Sequence, residues 1–253
     1  MNSPIDKQEL YSSTEEMNAR QDFLELFKNC PIPQADILNN LGLFLNSKNF
    51  SRMLFMNHVY QQIVDVMGVV CEFGTRWGQN LSLFASLRAI YEPYNRHRKI
   101  VGFDTFTGFP SISDADNKDC GVIRDGGLTC TANYDVYLNK IMAYHEKDNP
   151  LAHIKKYDIR RGDASIEINK YLQDNPETII ALAFFDFDIY EPTKNCLNAI
   201  KDRLVKGSVL CFDELCDHDS PGETVALMET IGLNNIRLKR YRHASRVSYF
   251  VVE

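Results

Sequence analysis

Two apolar segments of this chain end abruptly in carboxylates, and this feature constrains the fold more than any other. The first segment continues into Asp186 and Asp188, and the second continues into Asp213 and Glu214. Short apolar runs of this kind are typical of strands buried on both faces of a parallel sheet. Ligands of open α/β sheets bind at the carboxyl ends of such strands. The pattern therefore predicts an α/β enzyme whose site carries several crowded carboxylates.

Crowded carboxylates repel one another unless a cation or shared protons offset their charge. The simplest cation is a divalent metal ion at the mouth of the site. The chain itself has 253 residues and a formal net charge of −6, so no basic field favours nucleic acid or an acidic membrane as its partner. The first residues are polar and no segment approaches the length of a bilayer span, which predicts a cytoplasmic protein.

Strand and helix patterns alternate from residue 67 onward. Strands are predicted at residues 69–73, 100–103, 157–160, 180–185, 209–212, 236–240 and 247–252. Helices are predicted at residues 79–91, 136–147, 164–174, 193–204 and 222–231. This alternation predicts a doubly wound, mostly parallel, seven-stranded α/β sheet. Residues 241–246 leave no room for a crossover helix, so the last strand is expected to be antiparallel.

The N-terminal part of the chain shows helical patterns alone. Residues 1–65 are therefore predicted to form a helical cap or arm, followed by one α/β domain over residues 66–253. The arm carries more apolar surface than a cap requires, which favours a homodimer or a higher homo-oligomer. Residues 111–133 are polar, glycine-rich and without periodicity, so they form either a lid over a ligand or an insertion without a role.

Acidic residues recur at the ends of the first three predicted strands. Glu72 stands two positions before Gly74, and this suits a ligand with an ammonium group, although a turn without any ligand has the same pattern. Asp104 is placed to accept hydrogen bonds from ribose hydroxyls. Asp163 can accept from an adenine amino group, cap the following helix, or do both. Together these residues predict an S-adenosylmethionine site.

With these acids identified, the sequence resembles the class I methyltransferases. More narrowly, it is similar to the macrocin O-methyltransferase type, which methylates sugar hydroxyls in antibiotic and related pathways. The segments that carry the resemblance are Cys71-Glu72-Phe73-Gly74, residues 103–110, residues 186–193 and Asp213-Glu214. The chain departs from that family at Phe187, Pro192 and Glu214.

The resemblance implies a metal-dependent transfer of a methyl group from S-adenosylmethionine to a hydroxyl of a sugar or glycosylated small molecule. The cofactor residues that the motifs and the resemblance give are Glu72, Gly74, Thr75, Gly78, Asp104, Thr105, Asp163, Ala164 and Asp186. The resemblance assigns Asp186, Asp213 and Glu214 as ligands of Mg²⁺ or another divalent cation. Asp186 or Asp188 is then the candidate base. A metal-bound hydroxyl loses its proton more easily, so activity is expected to vanish with chelator.

Two alternative functions fit the same sequence features. The fold and cofactor could instead serve methylation of nitrogen or of a phosphate-type oxygen on a small metabolite. An amine nucleophile needs no metal activation, so insensitivity to chelator would favour that alternative. A non-catalytic module that retains a cofactor pocket would bind the cofactor without turnover.

Overall fold

A seven-stranded sheet forms the centre of the computed structural model, which describes residues 11–117 and 121–253. Its strands are β1 Val69–Phe73, β2 Ile100–Asp104, β3 Tyr157–Arg161, β4 Ile180–Phe185, β5 Leu204–Phe212, β6 Lys239–Arg240 and β7 Ser248–Val251. Their order is β3-β2-β1-β4-β5-β7-β6. Strands β1 to β5 pair in parallel, whereas β7 is antiparallel to both β5 and β6. The predicted fold class, with its antiparallel last strand, is confirmed.

Six of the helices described below lie on the two faces of this sheet. The helices are α1 Thr14–Lys28, α2 Gln34–Ile37, α3 Ser47–Gln62, α4 Gln79–Tyr91, α5 Tyr134–Asp148, α6 Ala164–Asp174, α7 Tyr190–Ile200 and α8 Gly222–Thr230. Helices α3, α4 and α5 pack on one face, and α6, α7 and α8 on the other, each against alternate residues of the strands. Among the described residues, no helix combines the length and apolar character needed to cross a bilayer.

The last aromatic residues of the strands form a row of stacked rings across the sheet. Phe73 lies 5.0 Å from Phe103 and 4.7 Å from Phe185, measured between ring centroids. Phe212 continues the row at 5.1 Å from Phe185, followed by Phe250 at 6.4 Å. Offset stacking of buried rings stabilises neighbouring strands beyond the area they bury. The row closes the core directly beneath the edge at which the acidic residues emerge.

The N-terminal helices differ in how they contact the sheet. Phe55, Met56, Val59 and Tyr60 of α3 are buried in the main core cluster. In contrast, neither α1 nor α2 buries a residue, and the 3₁₀ segment Leu38–Phe44 that follows them is kinked at Asn40. Helix α3 is therefore an integral part of the sheet's core. The division of the chain at residue 65 stays a prediction, and residues 1–10 of the predicted cap lie outside the described residues.

Several element boundaries differ from the sequence prediction. Helix α7 begins at Tyr190 and ends at Ile200, while β5 begins at Leu204, where a helix was predicted to continue. Residues 205 and 206 are exposed, so the first half of this strand lacks the apolar pattern by which the second half was found. The predicted sixth strand is reduced to Lys239–Arg240, because only these residues pair with β7.

Candidate active site

A cavity opens at the carboxyl edge of the sheet, where β1 to β4 end. Most of the predicted cofactor residues line it, namely Gly74, Asp104, Thr105, Asp163, Ala164 and Asp186. Asp188 lines it as well. The strand ends thus bring together side chains that are far apart in the chain, as expected for ligand sites of open α/β sheets. We call this space the cofactor cavity.

Gly74 is required by the backbone of the neighbouring strand. Its φ is +92°, and an added Cβ would lie 2.0 Å from the carbonyl oxygen of Asp186. Any side chain here would push apart the ends of β1 and β4, which meet at the cavity. The backbones of β1 and β4 thus approach each other so closely at Gly74 that no side chain fits between them.

Asp104 organises the turns that follow two strands. Its Oδ2 accepts a hydrogen bond of 2.7 Å from the backbone N–H of Arg76, and its Oδ1 accepts one of 2.6 Å from the N–H of Phe106. Burial raises the pKa of this carboxyl, against the effect of these two donors. Each carboxylate oxygen has a second lone pair, so Asp104 keeps the capacity to accept from a ligand.

Asp163 caps helix α6 and lines the cofactor cavity as well. Its Oδ1 accepts a 2.8 Å hydrogen bond from the backbone N–H of Ser165. This is the N-cap role that the sequence predicted. A role at adenine stays a prediction, and the side chain's position is compatible with both.

The remaining predicted cofactor residues, Glu72, Thr75 and Gly78, are not among the residues that line the cofactor cavity. Glu72 is buried, and burial raises its pKa to about 8, although a hydrogen bond from Asn80 acts in the opposite direction. Within the described residues, neither Glu72 Oε2 nor Thr75 Oγ1 has a hydrogen-bond partner. Gly78 forms the N-cap of α4, and its N–H donates to the carbonyl of Thr75. An unpartnered buried carboxylate oxygen costs free energy, so Glu72 is a candidate for a ligand contact.

Arg52 of α3 joins the two acidic strand ends. Its Nη2 lies 2.6 Å from Asp186, and its Nη1 lies 2.5 Å from Asp213. Burial alone would lower the pKa of Arg52, but the two carboxylates raise it above its ordinary value. The pKa of Asp186 is raised as well, mainly by burial and the neighbouring charge of Asp213, and Arg52 reduces that effect. One guanidinium thus compensates two carboxylates in a site of low dielectric.

Glu214 takes a different partner from the other two predicted metal ligands. It accepts a hydrogen bond from Arg246, which also lies 2.9 Å from Asp217. The described residues contain no group of three or more His, Cys, Asp and Glu side chains that could hold a metal ion. That Asp186, Asp213 and Glu214 hold one divalent ion stays a prediction. In this arrangement two arginines already contact the three carboxylates, so an ion would have to displace them.

Glu223 of α8 fixes the loop that carries the candidate base Asp188. Its Oε1 accepts hydrogen bonds from the backbone N–H groups of Phe187 and Asp188, at 2.9 and 3.3 Å. The side chain is fully buried, and its pKa is raised by burial and by the charges of Asp186 and Asp188. Because these amides are bound by a side chain from another element, the loop between β4 and α7 has a defined conformation.

Three non-glycine residues at the strand ends adopt left-handed backbone conformations. Arg76 follows β1 with φ of +45°, Phe106 follows β2 with φ of +58°, and Asp188 follows β4 with φ of +63°. Such conformations are uncommon outside glycine and cluster at functional sites. All three turns border the cofactor cavity or carry its lining residues.

The predicted loop at residues 111–133 packs against the site. Val122 and Ile123 are buried with Ile189, and Asp116 Oδ1 accepts a 2.8 Å hydrogen bond from the backbone N–H of Tyr190. Leu128 lines the cofactor cavity. Residues 118–120 lie outside the described residues. The described part of the loop forms a wall of the site, whereas a lid-like movement stays a prediction.

Sequence reasoning missed Arg52, Glu223, Asp116 and Arg246. A signal existed for the first two. Arg52 precedes Phe55, Met56 and Val59 by three, four and seven positions, so a charged residue interrupts the apolar face of α3. Glu223 stands in the same relation to Ala226 and Leu227 in α8. No local pattern marks Asp116 or Arg246.

Comparison with solved structures finds similarity over nearly the whole chain. The crystal structure of CalS11, calicheamicin methyltransferase, is 38% identical with a TM-score of 0.91, over 99% of this chain and 98% of CalS11. Apo CalS11, described as a TDP-rhamnose 3'-O-methyltransferase of calicheamicin biosynthesis, is 37% identical with a TM-score of 0.84, over 96% of each chain.

A more distant structure supports the fold alone. The O-methyltransferase NovP is 14% identical with a TM-score of 0.61, over 80% of this chain and 79% of NovP. No family profile matches the chain, and a search of curated proteins found no match.

Proposed function

The chain belongs to the family of S-adenosylmethionine-dependent methyltransferases that includes CalS11, and we propose that it transfers the methyl group of S-adenosylmethionine to a hydroxyl group of a sugar. The observation that carries this proposal is 38% identity to CalS11 over 99% of the chain. CalS11 is described as a TDP-rhamnose 3'-O-methyltransferase. The acceptor is thus a small molecule of the sugar class.

We propose that the cofactor occupies the cavity over β1, β2 and β3. Asp104 would accept from the ribose hydroxyls through the lone pairs that its backbone donors leave. Asp163 would lie near the adenine, and Gly74, Thr75, Gly78, Thr105 and Ala164 would shape the surrounding backbone. Glu72 would meet the amino-acid portion, directly or through water, which is supported by its unpartnered buried oxygen.

The transfer is a displacement at the methyl carbon. The acceptor oxygen forms a bond to that carbon while the carbon–sulfur bond breaks, and sulfur keeps the electron pair and becomes a neutral thioether. The hydroxyl proton passes to a carboxylate. Asp186 and Asp188 both line the cavity, and the raised pKa of Asp186 suits it to accept a proton near neutral pH. Fixing the acceptor in line with the sulfonium lowers the barrier further.

The resemblance to the macrocin O-methyltransferase type also implies a dependence on a divalent metal ion. Mg²⁺ prefers oxygen ligands, and Asp186 and Asp213 offer them side by side. Both, however, accept hydrogen bonds from Arg52, and Glu214 accepts one from Arg246. A cytoplasmic location and a homo-oligomeric state remain proposals from the sequence.

The test is an acceptor screen with S-adenosylmethionine labelled in its methyl group. Nucleotide-linked sugars, free glycosides, amines and phosphate esters are offered in parallel, and we expect label on a sugar oxygen. Asp186→Asn should lower the rate by at least about a hundredfold, as for loss of a general base. Asp202→Asn, which changes an exposed acid, is the matched control and should leave the rate unchanged. Label found on amines alone, or cofactor binding with no transfer to any acceptor, would reject the proposal.

A further inference from the structure

The charged side chains that line the cofactor cavity are acidic with one exception. Asp104, Asp163, Asp186 and Asp188 line it, and Arg76 is the only basic residue among the described residues of its wall. S-adenosylmethionine carries two positive charges, on its sulfonium and ammonium groups, and one negative charge, on its carboxylate. The acids suit the two cationic groups, since opposite charges attract strongly where the dielectric is low. The carboxylate needs a donor instead, and Arg76 is the one guanidinium that this wall offers.

Arg76 has hydrogen-bonding capacity that the protein leaves unused. Its Nε is buried, and within residues 11–117 and 121–253 it has no hydrogen-bond partner. No carboxylate of that part of the chain forms an ion pair with its guanidinium, whereas Arg52 contacts both Asp186 and Asp213. Buried donors are nearly always paired, so an unpaired one indicates a missing partner. The planar fork of an arginine matches the two oxygens of a carboxylate.

The side chain of Arg76 is held in place by its surroundings. Its backbone has a φ of +45°, and its N–H donates the 2.7 Å hydrogen bond to Asp104. The guanidinium carbon lies 5.9 Å from the centroid of the Trp77 ring, within the range of a cation–π contact. The Trp77 ring packs edge-on against Tyr134, with 4.7 Å between centroids. The guanidinium therefore has a defined position at the cavity before any ligand binds.

The neighbours of Arg76 indicate which end of the cofactor it meets. Asp104, which we place at the ribose, accepts from its backbone, and Glu72, which we place at the ammonium group, lies four positions earlier in the same segment. Helix α4 begins three positions later, at Gln79, and its N-cap Gly78 has no side chain that could cap it. The free N–H groups and the helix dipole there also favour an anion. An α-amino acid with both charges fits this arrangement.

We propose that Arg76 binds the carboxylate of the amino-acid portion of S-adenosylmethionine, and that Arg76 and Glu72 together make the cavity selective for a zwitterionic cofactor. This inference rests on the proposed function, which places the cofactor over β1, β2 and β3. It adds a residue that determines cofactor specificity. Adenosine derivatives that lack the carboxylate are then discriminated against, although their adenine and ribose fit the same contacts.

The test compares two ligands that differ only in the carboxylate. S-adenosylhomocysteine and its decarboxylated amine are titrated calorimetrically into the wild-type protein, which should bind the amine at least about tenfold more weakly. Arg76→Gln should lose at least about tenfold in affinity for S-adenosylhomocysteine and less than about twofold for the amine. Arg76→Lys should recover part of the loss, since it restores the charge without the fork. Arg96→Gln, an exposed arginine that precedes β2 at the opposite edge of the sheet, is the control and should change neither affinity.

The comparison separates a contact with the carboxylate from a structural role. Equal losses for both ligands in Arg76→Gln would overturn the inference, because they would show that Arg76 only shapes the turn or compensates Asp104. Equal affinity of the wild type for the two ligands would also overturn it. Melting temperature reports whether the variants fold, and Arg76→Lys gives the same comparison if Arg76→Gln does not.

The outcomes also distinguish this inference from the proposed function. Binding of S-adenosylhomocysteine that depends on Arg76, in a protein that transfers no methyl group to any sugar, would support the inference and reject the proposed function. Methylation of a sugar, with unchanged S-adenosylhomocysteine affinity in Arg76→Gln, would support the proposed function and overturn the inference.

Discussion

Nη1 of Arg52 lies 2.5 Å from the carboxylate of Asp213, although 161 positions separate the two residues in the chain. The same guanidinium contacts Asp186, so α3 is joined by charge to the ends of β4 and β5. Buried ion pairs of this kind contribute less to net stability than to fixing one arrangement of the groups involved. The contact therefore helps to fix α3, whose apolar face is buried in the core, over the acidic strand ends.

Replacing Arg52 with Met should destabilise the protein by about 1–3 kcal/mol, because two largely buried carboxylates lose their shared donor. Urea unfolding followed by circular dichroism measures this change. Arg52→Lys should recover part of the loss, since it restores the charge without the two-armed geometry. Lys140→Met removes an exposed charge of α5 and should have little effect. Equal stability of Arg52→Met and Lys140→Met would show that the contact contributes nothing.

Removing the guanidinium should also create a cation site. In Arg52→Ala, Asp186 and Asp213 are left facing each other without their shared counter-charge, and a divalent ion is the natural replacement. We expect Mn²⁺, followed by electron paramagnetic resonance, to bind this variant at least about tenfold more tightly than wild type. Tight binding of Mn²⁺ to wild type, lost in Asp213→Asn together with chelator-sensitive transfer, would instead restore the metal mechanism.

Asp104→Asn should weaken cofactor binding. The amide can accept through one atom only, so either a ribose hydroxyl or one of the backbone N–H groups of Arg76 and Phe106 loses its partner. The expected cost is about 1–3 kcal/mol in the affinity for S-adenosylhomocysteine, measured by calorimetry. Asp174→Asn, which alters an exposed acid at the end of α6, serves as the control. Unchanged affinity in Asp104→Asn would remove the ribose assignment.

Glu72 should make the stability of the cofactor-free protein depend on pH. Its pKa is about 8 in the fold, against an ordinary value of 4.5. Because the folded pKa is the higher one, the contribution of Glu72 to stability is fully present below pH 4.5 and is lost as pH rises through 8. The loss amounts to at most about 1.4 kcal/mol per pH unit. Glu72→Gln has no carboxyl group to ionise and lacks this loss. The difference in melting temperature, variant minus wild type, should therefore increase between pH 5 and 8. A difference that stays constant over that range would contradict the raised pKa.

The N-terminal helices should mediate association with a second copy of the chain. Leu26 of α1 and Leu43 of the following 3₁₀ segment are 67% and 61% exposed. Exposed apolar side chains that lie near one another often mark a surface that contacts another protein chain. We expect light scattering to report a dimer or larger assembly at micromolar concentration. Leu26→Glu/Leu43→Glu should shift it toward the monomer, whereas Gln21→Glu on the same helix should not. A monomeric wild-type protein at high micromolar concentration would refute this expectation.

The sequence predicted best those features that depend on local pattern. Strands β1 and β4 were found at their observed bounds because both are continuously apolar and buried. The meeting of Asp186 and Asp213 also followed, since parallel strands end at the same edge. Helix α4 was located correctly from its periodicity and the glycine that precedes it.

Features that depend on distant packing could not be predicted in this way. Arg52 reaches the site only because α3 packs across the sheet, 134 positions before Asp186 in the chain. Glu214 follows Asp213 directly, yet its side chain is held by Arg246, whose position depends on the hairpin after β6. Without these arginines in view, four acids indicated a metal ion. The sequence places the acids at the strand ends but does not show which groups supply their counter-charges.

The left-handed residues at the strand ends bear on the thermodynamics of cofactor binding. Arg76, Phe106 and Asp188 each hold a conformation that a free chain seldom visits, and hydrogen bonds to Asp104 and Glu223 maintain all three. The backbone entropy of these turns is lost when the chain folds. Binding of a ligand therefore orders little additional backbone. Cofactor association should therefore involve a small loss of backbone entropy, and the walls of the cavity should have nearly the same form before and after it.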